Sequence, residues 1–110
     1  MNLDIRTEEK DGLAVLHVGG EIDAYTAPQL REALIPLTEK EGNQVSVDLT
    51  EVDYIDSTGL GIFIGALKSS HAHDSSLKLT GLNDRVMRLF SITGLDEVID
   101  IDGNDREEAR

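Results

Sequence analysis

The residues best able to do chemistry stand together at Asp56-Ser57-Thr58-Gly59, where an apolar strand end (VDYI, 52–55) gives way to the apolar run LGIFIG (60–65). A serine in the first turn of a helix meets backbone N–H groups without an intrahelical acceptor and the positive end of the macrodipole. Its hydroxyl can cap that end, or it can carry a phosphate there. Ser57 is therefore the candidate modification site, and Thr58 supplies a neighbouring hydroxyl. A second acidic stretch, Glu21-Ile22-Asp23, is expected to close an earlier strand. Functional loops of α/β sheets gather at strand C-terminal ends, so this stretch and Asp53 to Thr58 are expected to converge.

Other chemistries fit the residues less well. A serine hydrolase needs a base beside the nucleophile, yet the histidines fall at 17, 71 and 73, and no GxSxG elbow surrounds Ser57. His71 and His73 are two apart and do not share a helix face, so they read as surface residues and not as a metal pair. His17 reads as a strand residue with a satisfied side chain. Asp23, Asp53 and Asp56 suggest a magnesium-dependent phospho-aspartate receiver. That class opens with a strand-helix unit and needs a lysine at a later strand end; this chain opens with a hairpin and offers no such lysine.

Composition sets outer bounds. A chain of 110 residues makes one domain, burying roughly two-thirds of the surface it exposes when unfolded. Cysteine is absent, which removes thiolate chemistry and cysteine metal sites. There are 22 acidic residues against 10 basic ones, a formal net charge of −12. Such a surface repels nucleic acid and anionic lipid, and favours a basic protein partner. No apolar run approaches membrane-spanning length, and MNLDIRTEEKDG lacks the pattern of a secretory leader, so a soluble cytoplasmic protein is expected.

The elements that must position Ser57 follow from periodicity. Leu3, Ile5 and Thr7 alternate with polar residues, Lys10-Asp11-Gly12 makes a turn, and 13–18 forms a second strand, giving an antiparallel hairpin. Gly19-Gly20 is expected to let the chain bend. Thr26 and Gln29 have capping-box spacing, and Leu30, Ala33, Leu34 and Leu37 face inward from the helix that follows, with Pro36 distorting its last turn. A strand at 44–49 should run parallel to a neighbour. In the helix after Ser57, the stripe Leu60, Phe63, Ile64 and Leu67 is expected to face the core, widened by Ile62 and Ala66. Gly59, Gly61 and Gly65 imply a close approach, either tight packing or a docking surface. SSHAHDSS (69–76) reads as a polar break, 77–80 as a strand, and Asn83 as the cap of a helix stopped by Gly94. Val98, Ile99 and Ile101 end the domain as a strand or a short helix.

The stretches GEIDAYTAP (20–28), DSTGLGIFIG (56–65) and LKLTGLNDRVMRLFSITGL (77–95), in this order and spacing, resemble the anti-sigma factor antagonists of the STAS family, particularly those of general stress systems. The order of elements predicts an α/β domain over 1–102 with a mixed four- to five-stranded sheet, an opening antiparallel hairpin and helices mainly on one face, matching the STAS-like fold that the resemblance implies, and the composition of 103–110 predicts a disordered acidic tail. The resemblance also implies a switch without catalysis or a cofactor of its own. The serine matching Ser57 would be phosphorylated by an anti-sigma factor that is also a serine kinase and holds the ATP. A PP2C-type phosphatase would restore it. The unphosphorylated form would bind the anti-sigma factor and free the sigma factor. Asp23, Tyr25, Thr26, Asp56, Thr58, Gly59, Leu60, Gly61 and Ile62 are the expected partner-binding residues. A non-switching STAS scaffold is the alternative.

Overall fold

A computed structural model describes residues 2–102; the expected tail at 103–110 lies outside the described residues. The elements run β1 (Leu3–Lys10), β2 (Leu13–Ile22), α1 (Ala27–Thr38), β3 (Gln44–Ile55), α2 (Ser57–Ala72), β4 (Ser76–Thr80) and α3 (Asp84–Ile92), then a 3₁₀ turn at Leu95–Glu97 and β5 (Asp100–Ile101). They form one five-stranded sheet in the order β1-β2-β3-β4-β5, antiparallel at β1-β2 and parallel in its other pairs. The expected mixed sheet with an opening hairpin is thus observed. Because the strand order rises steadily, right-handed crossovers place α1, α2 and α3 on the same face.

Alternation along the strands shows which face that is. Ala14, Leu16 and Val18 of β2 and Val45, Val47 and Leu49 of β3 are buried beneath the helices. His17 and Asp48 face the open side, where His17 Nδ1 lies 2.9 Å from Asp48 Oδ2 and Nε2 lies 3.4 Å from Glu8 Oε1. The expected satisfied histidine is found. Thr50 donates to Asp48 from both its N–H and its hydroxyl, and those bonds, together with His17, hold the Asp48 carboxyl below its ordinary value despite partial burial.

One sequence expectation needs correction here, and two strand ends show more than periodicity did. β2 continues past Gly19-Gly20 to Ile22, the strand end expected at Glu21-Ile22-Asp23. Gly20 takes φ +108°, and a Cβ there would collide with the Asn2 carbonyl oxygen. That carbonyl accepts from the Glu21 N–H at 3.0 Å, so the extended strand end is tied to the chain before β1. β3 likewise runs on past Leu49 to the apolar strand end expected at 52–55. Its register against β2 slips twice, between His17 and Gly19 and between Gly20 and Glu21. The bulges put Val52 and Ile55 into the core after Leu49, although their spacing breaks strict alternation.

The polar stretch at 69–76, expected as a break, is helical in its first half. α2 runs to Ala72, and the chain reverses at Asp74, φ +56°. Ser69 and Ser70 are held in the helix by specific partners: Thr38 donates to Ser69 Oγ at 2.8 Å, and the Ser70 hydroxyl donates to the Leu67 carbonyl at 2.7 Å. In α3 and the elements after it, expectation and structure agree. The Asn83 side chain accepts from Val86 N–H at 2.8 Å, Gly94 has φ +76°, and a 3₁₀ turn followed by a strand ends the domain. Pro36 lies within α1, whose end is closed by a three-residue bond from Glu39 N–H to the Pro36 carbonyl at 3.3 Å, the irregular last turn expected. Phe63 of α2 and Phe90 of α3 pack with ring centroids 5.9 Å apart at 60°, joining the two helices over the sheet.

Candidate functional site

The two acidic strand ends meet, as their expected convergence required. β2 and β3 pair at Glu21–Tyr54 and Ile22–Ile55, and Asp56 N–H then donates to the Ile22 carbonyl at 3.1 Å. The turn after β2 and the first turn of α2 therefore stand side by side above the sheet edge.

Asp56 is the N-cap of α2. Its backbone is extended (φ −105°, ψ −174°), its Oδ1 accepts from Gly59 N–H at 3.1 Å, and its carbonyl accepts from Leu60 N–H at 3.0 Å. Of the two roles open to Ser57, capping is therefore taken by Asp56. A capping side chain needs a non-helical backbone to reach back to the third residue, and Ser57 is already the first residue of the helix. Freed from capping, Ser57 is exposed, and so is Thr58. Neither hydroxyl makes a hydrogen bond among the described residues. Their N–H groups, the first two of the helix, have no intrahelical acceptor. The site thus offers a reachable nucleophilic hydroxyl at the positive end of a 16-residue helix, with the half-buried Asp56 carboxylate beside it.

The loop from Asp23 to Thr26 is built differently from the expected capping box. Thr26 has a helical backbone (φ −95°, ψ −16°) and makes no side-chain capping bond. Its hydroxyl points back to the strand end, donating to the Glu21 carbonyl at 2.8 Å and accepting from Asp23 N–H at 2.9 Å. Gln29 reaches away to the Leu3 carbonyl at 3.0 Å. The turn before the helix is held by Asp23, whose Oδ1 accepts from Tyr25 N–H at 2.9 Å and Thr26 N–H at 3.0 Å. This carboxylate lies three residues before Thr26 and already bridges the turn, so the threonine is not needed for it. The two bracketing residues are buried, at 9% and 6% exposure, while the Tyr25 side chain they carry is 88% exposed.

Burial also divides the other candidate residues. Thr58 and Gly61 are exposed; Gly59, Leu60 and Ile62 are buried. Of the expected core surface of α2, Leu60, Ile62, Phe63 and Ala66 are buried, Ile64 and Leu67 are only half-buried, and Ser70 is buried with them. The glycines divide in the same way. A Cβ on Gly59 would lie 2.6 Å from Ile22 Cγ2 and 2.9 Å from Ile55 Cγ2, so Gly59 lets the helix start rest on the two paired strand ends. A Cβ on Gly61 or Gly65 would meet nothing within 4 Å, so tight packing does not account for either.

No histidine stands at this end of α2. His71 and His73 belong to its far end, roughly 24 Å away at the usual helical rise, and His17 is on the open face of the sheet. Among the described residues there is no group of three or more His, Asp or Glu side chains placed to hold a metal ion, and no helix is long and apolar enough to cross a membrane. Two features escaped the sequence reading, the Asp56 cap and the Asp23 bracket. Each is signalled by an aspartate three residues before the group it serves.

Known proteins resemble the chain along most of its length. The STAS domain family model matches residues 4–108. An anti-sigma-B factor antagonist of Listeria monocytogenes is 53% identical over 102 residues, covering 92% of this chain and 90% of that protein. One from Staphylococcus epidermidis is 44% identical over 101 residues, covering 92% and 94%. Among solved structures, that of an anti-sigma factor antagonist from Mycobacterium paratuberculosis superposes with a TM-score of 0.82 at 24% identity, covering 96% of this chain and 90% of that one, and shares the fold.

Proposed function

The chain belongs to the STAS domain family, and from that premise we propose that it is an anti-sigma factor antagonist switched at Ser57. In its unmodified form it binds an anti-sigma factor that is also a serine kinase, and so releases the sigma factor. The kinase holds ATP. The Ser57 oxygen attacks the γ-phosphorus, the bond from that phosphorus to the bridging oxygen breaks, ADP leaves, and the hydroxyl proton passes to a base on the kinase. A PP2C-type phosphatase hydrolyses the phosphoserine and resets the switch. The protein acts as a regulatory binding partner in the cytoplasm, and the chemistry belongs to the enzymes that visit it.

The observation that carries this reading is the freedom of the Ser57 hydroxyl. Asp56 takes over the capping, which leaves an exposed serine at the helix start with no structural duty among the described residues. Phosphate adds about −1.5 to −2 charges there. The helix dipole welcomes it, but Asp56 and any carboxylate on the kinase do not. One partner carboxylate about 6 Å away would cost roughly 3 kcal/mol per unit charge pair at an effective dielectric near 20. That is on the order of a hundredfold in affinity, so the switch needs no change of fold.

Binding of the cognate anti-sigma factor to Ser57→Ala and Ser57→Asp variants tests the reading. The alanine variant is expected to bind like the unmodified protein, and the aspartate variant much more weakly. Equal, tight binding by both would leave a non-switching scaffold as the better account.

A further inference from the structure

We infer that Tyr25 is the aromatic anchor by which this domain holds its anti-sigma factor, and that Asp23 and Thr26 are positioning residues that hold it out; this rests on the function proposed above. Tyr25 holds its aromatic ring 88% exposed, and tyrosine is prominent among residues that dominate interface energetics. Its backbone is unusually constrained for a loop. Asp23 Oδ1 accepts from the N–H groups of Tyr25 and Thr26 at 2.9 and 3.0 Å, and the Thr26 hydroxyl ties the turn to the Glu21 carbonyl at 2.8 Å. The Glu21 N–H is in turn bonded to the Asn2 carbonyl at 3.0 Å, and the next residue, Ile22, accepts from the Asp56 N–H at 3.1 Å. A short chain of bonds therefore fixes the Tyr25 backbone relative to the start of α2. The ordering of this loop is completed before binding, which is the condition under which one exposed aromatic contributes most affinity.

The occupant follows from continuity and charge. Tyr25 stands on the turn beside the Ser57 helix start, so a kinase reaching Ser57 covers it. Asp56 at the adjoining helix start and the net charge of −12 favour a partner surface with an apolar slot edged by lysine or arginine. Asp23, buried and with its Oδ1 already engaged, acts through Tyr25 and not by touching the partner.

The experiment measures affinity for the cognate anti-sigma factor, with thermal melts of each variant as a check on folding. Tyr25→Ala is expected to melt with the wild type and to bind on the order of thirtyfold more weakly. Tyr25→Phe should stay within about threefold, since the ring is the anchor. Asp23→Asn keeps the accepting Oδ1 and should bind like the wild type. Asp23→Ala should lose most of what Tyr25→Ala loses, and combining the two should add little. Unchanged binding by Tyr25→Ala alongside tight binding by the wild type would overturn the anchor alone. Equal losses in Asp23→Asn and Asp23→Ala would make Asp23 a charged contact and overturn its positioning role. If the wild type does not bind, the proposed function fails first and the anchor with it.

Discussion

Replacing Gly59 by alanine tests how the helix that carries Ser57 is seated. The added Cβ would lie 2.6 Å from Ile22 Cγ2 and 2.9 Å from Ile55 Cγ2, both in fully buried side chains at the paired ends of β2 and β3. Neither isoleucine can turn aside without disturbing the core, so the first turn of α2 must lift. Overpacking of this kind costs about 1–3 kcal/mol, and alanine's better helix propensity returns less than about 1 kcal/mol. The net loss is about 1–2 kcal/mol, a melting temperature lower by roughly 5–10 °C for a domain of this size. Gly65→Ala supplies the contrast, because its Cβ meets nothing within 4 Å and the helix-propensity gain of up to about 1 kcal/mol remains. Thermal and urea unfolding of both variants would measure the difference. Phosphorylation of Ser57 by the kinase should also slow in Gly59→Ala and stay unchanged in Gly65→Ala. A Gly59→Ala variant as stable as Gly65→Ala would refute the close seating of α2 on the strand ends.

Two other perturbations probe the surroundings. Asp56→Ala removes the cap from Gly59 N–H and should lower stability by about 1 kcal/mol, while Asp56→Asn or Asp56→Ser restores most of it in denaturant titrations. On the open face, the Asp48 carboxyl is held below its ordinary value of 3.8, chiefly by the Thr50 hydroxyl. A depressed carboxylate adds stability above its unfolded pKa and loses it as pH falls through the folded one. The advantage of wild type over Asp48→Asn should therefore hold between about pH 5 and 8 and shrink below about pH 4; an advantage that grows on acidification would contradict the assignment.

Much of the fold was legible because its signals were local. Alternation marked β1 and the first half of β3, the Asn83 cap and Gly94 stop marked α3, and the crossover rule set the parallel pairing. The failures came where long-range packing overrode a local pattern. Val52 and Ile55 follow Leu49 into the core only because β3 bulges against β2, and periodicity alone carries no such shift. Ser69 and Ser70 looked like a break but stay helical because Thr38 and the Leu67 carbonyl satisfy them. Around the site, Thr26 and Gln29 have capping-box spacing, yet Asp23 accepts the turn's N–H groups, so the spacing was met and the geometry was not. That Ser57 opens an apolar helix was legible from DSTG. That Asp56 caps in its place, leaving the serine free, required the backbone angles.

The central claim is that Ser57 carries the phosphate. Incubating the protein with ATP and its cognate anti-sigma factor, then locating the modification by fragmentation mass spectrometry, tests it most directly. The account predicts one phosphate, on Ser57, and none on the Ser57→Ala variant. A phosphate on Thr58 instead, or an unmodified chain after the kinase has turned over ATP, would contradict it.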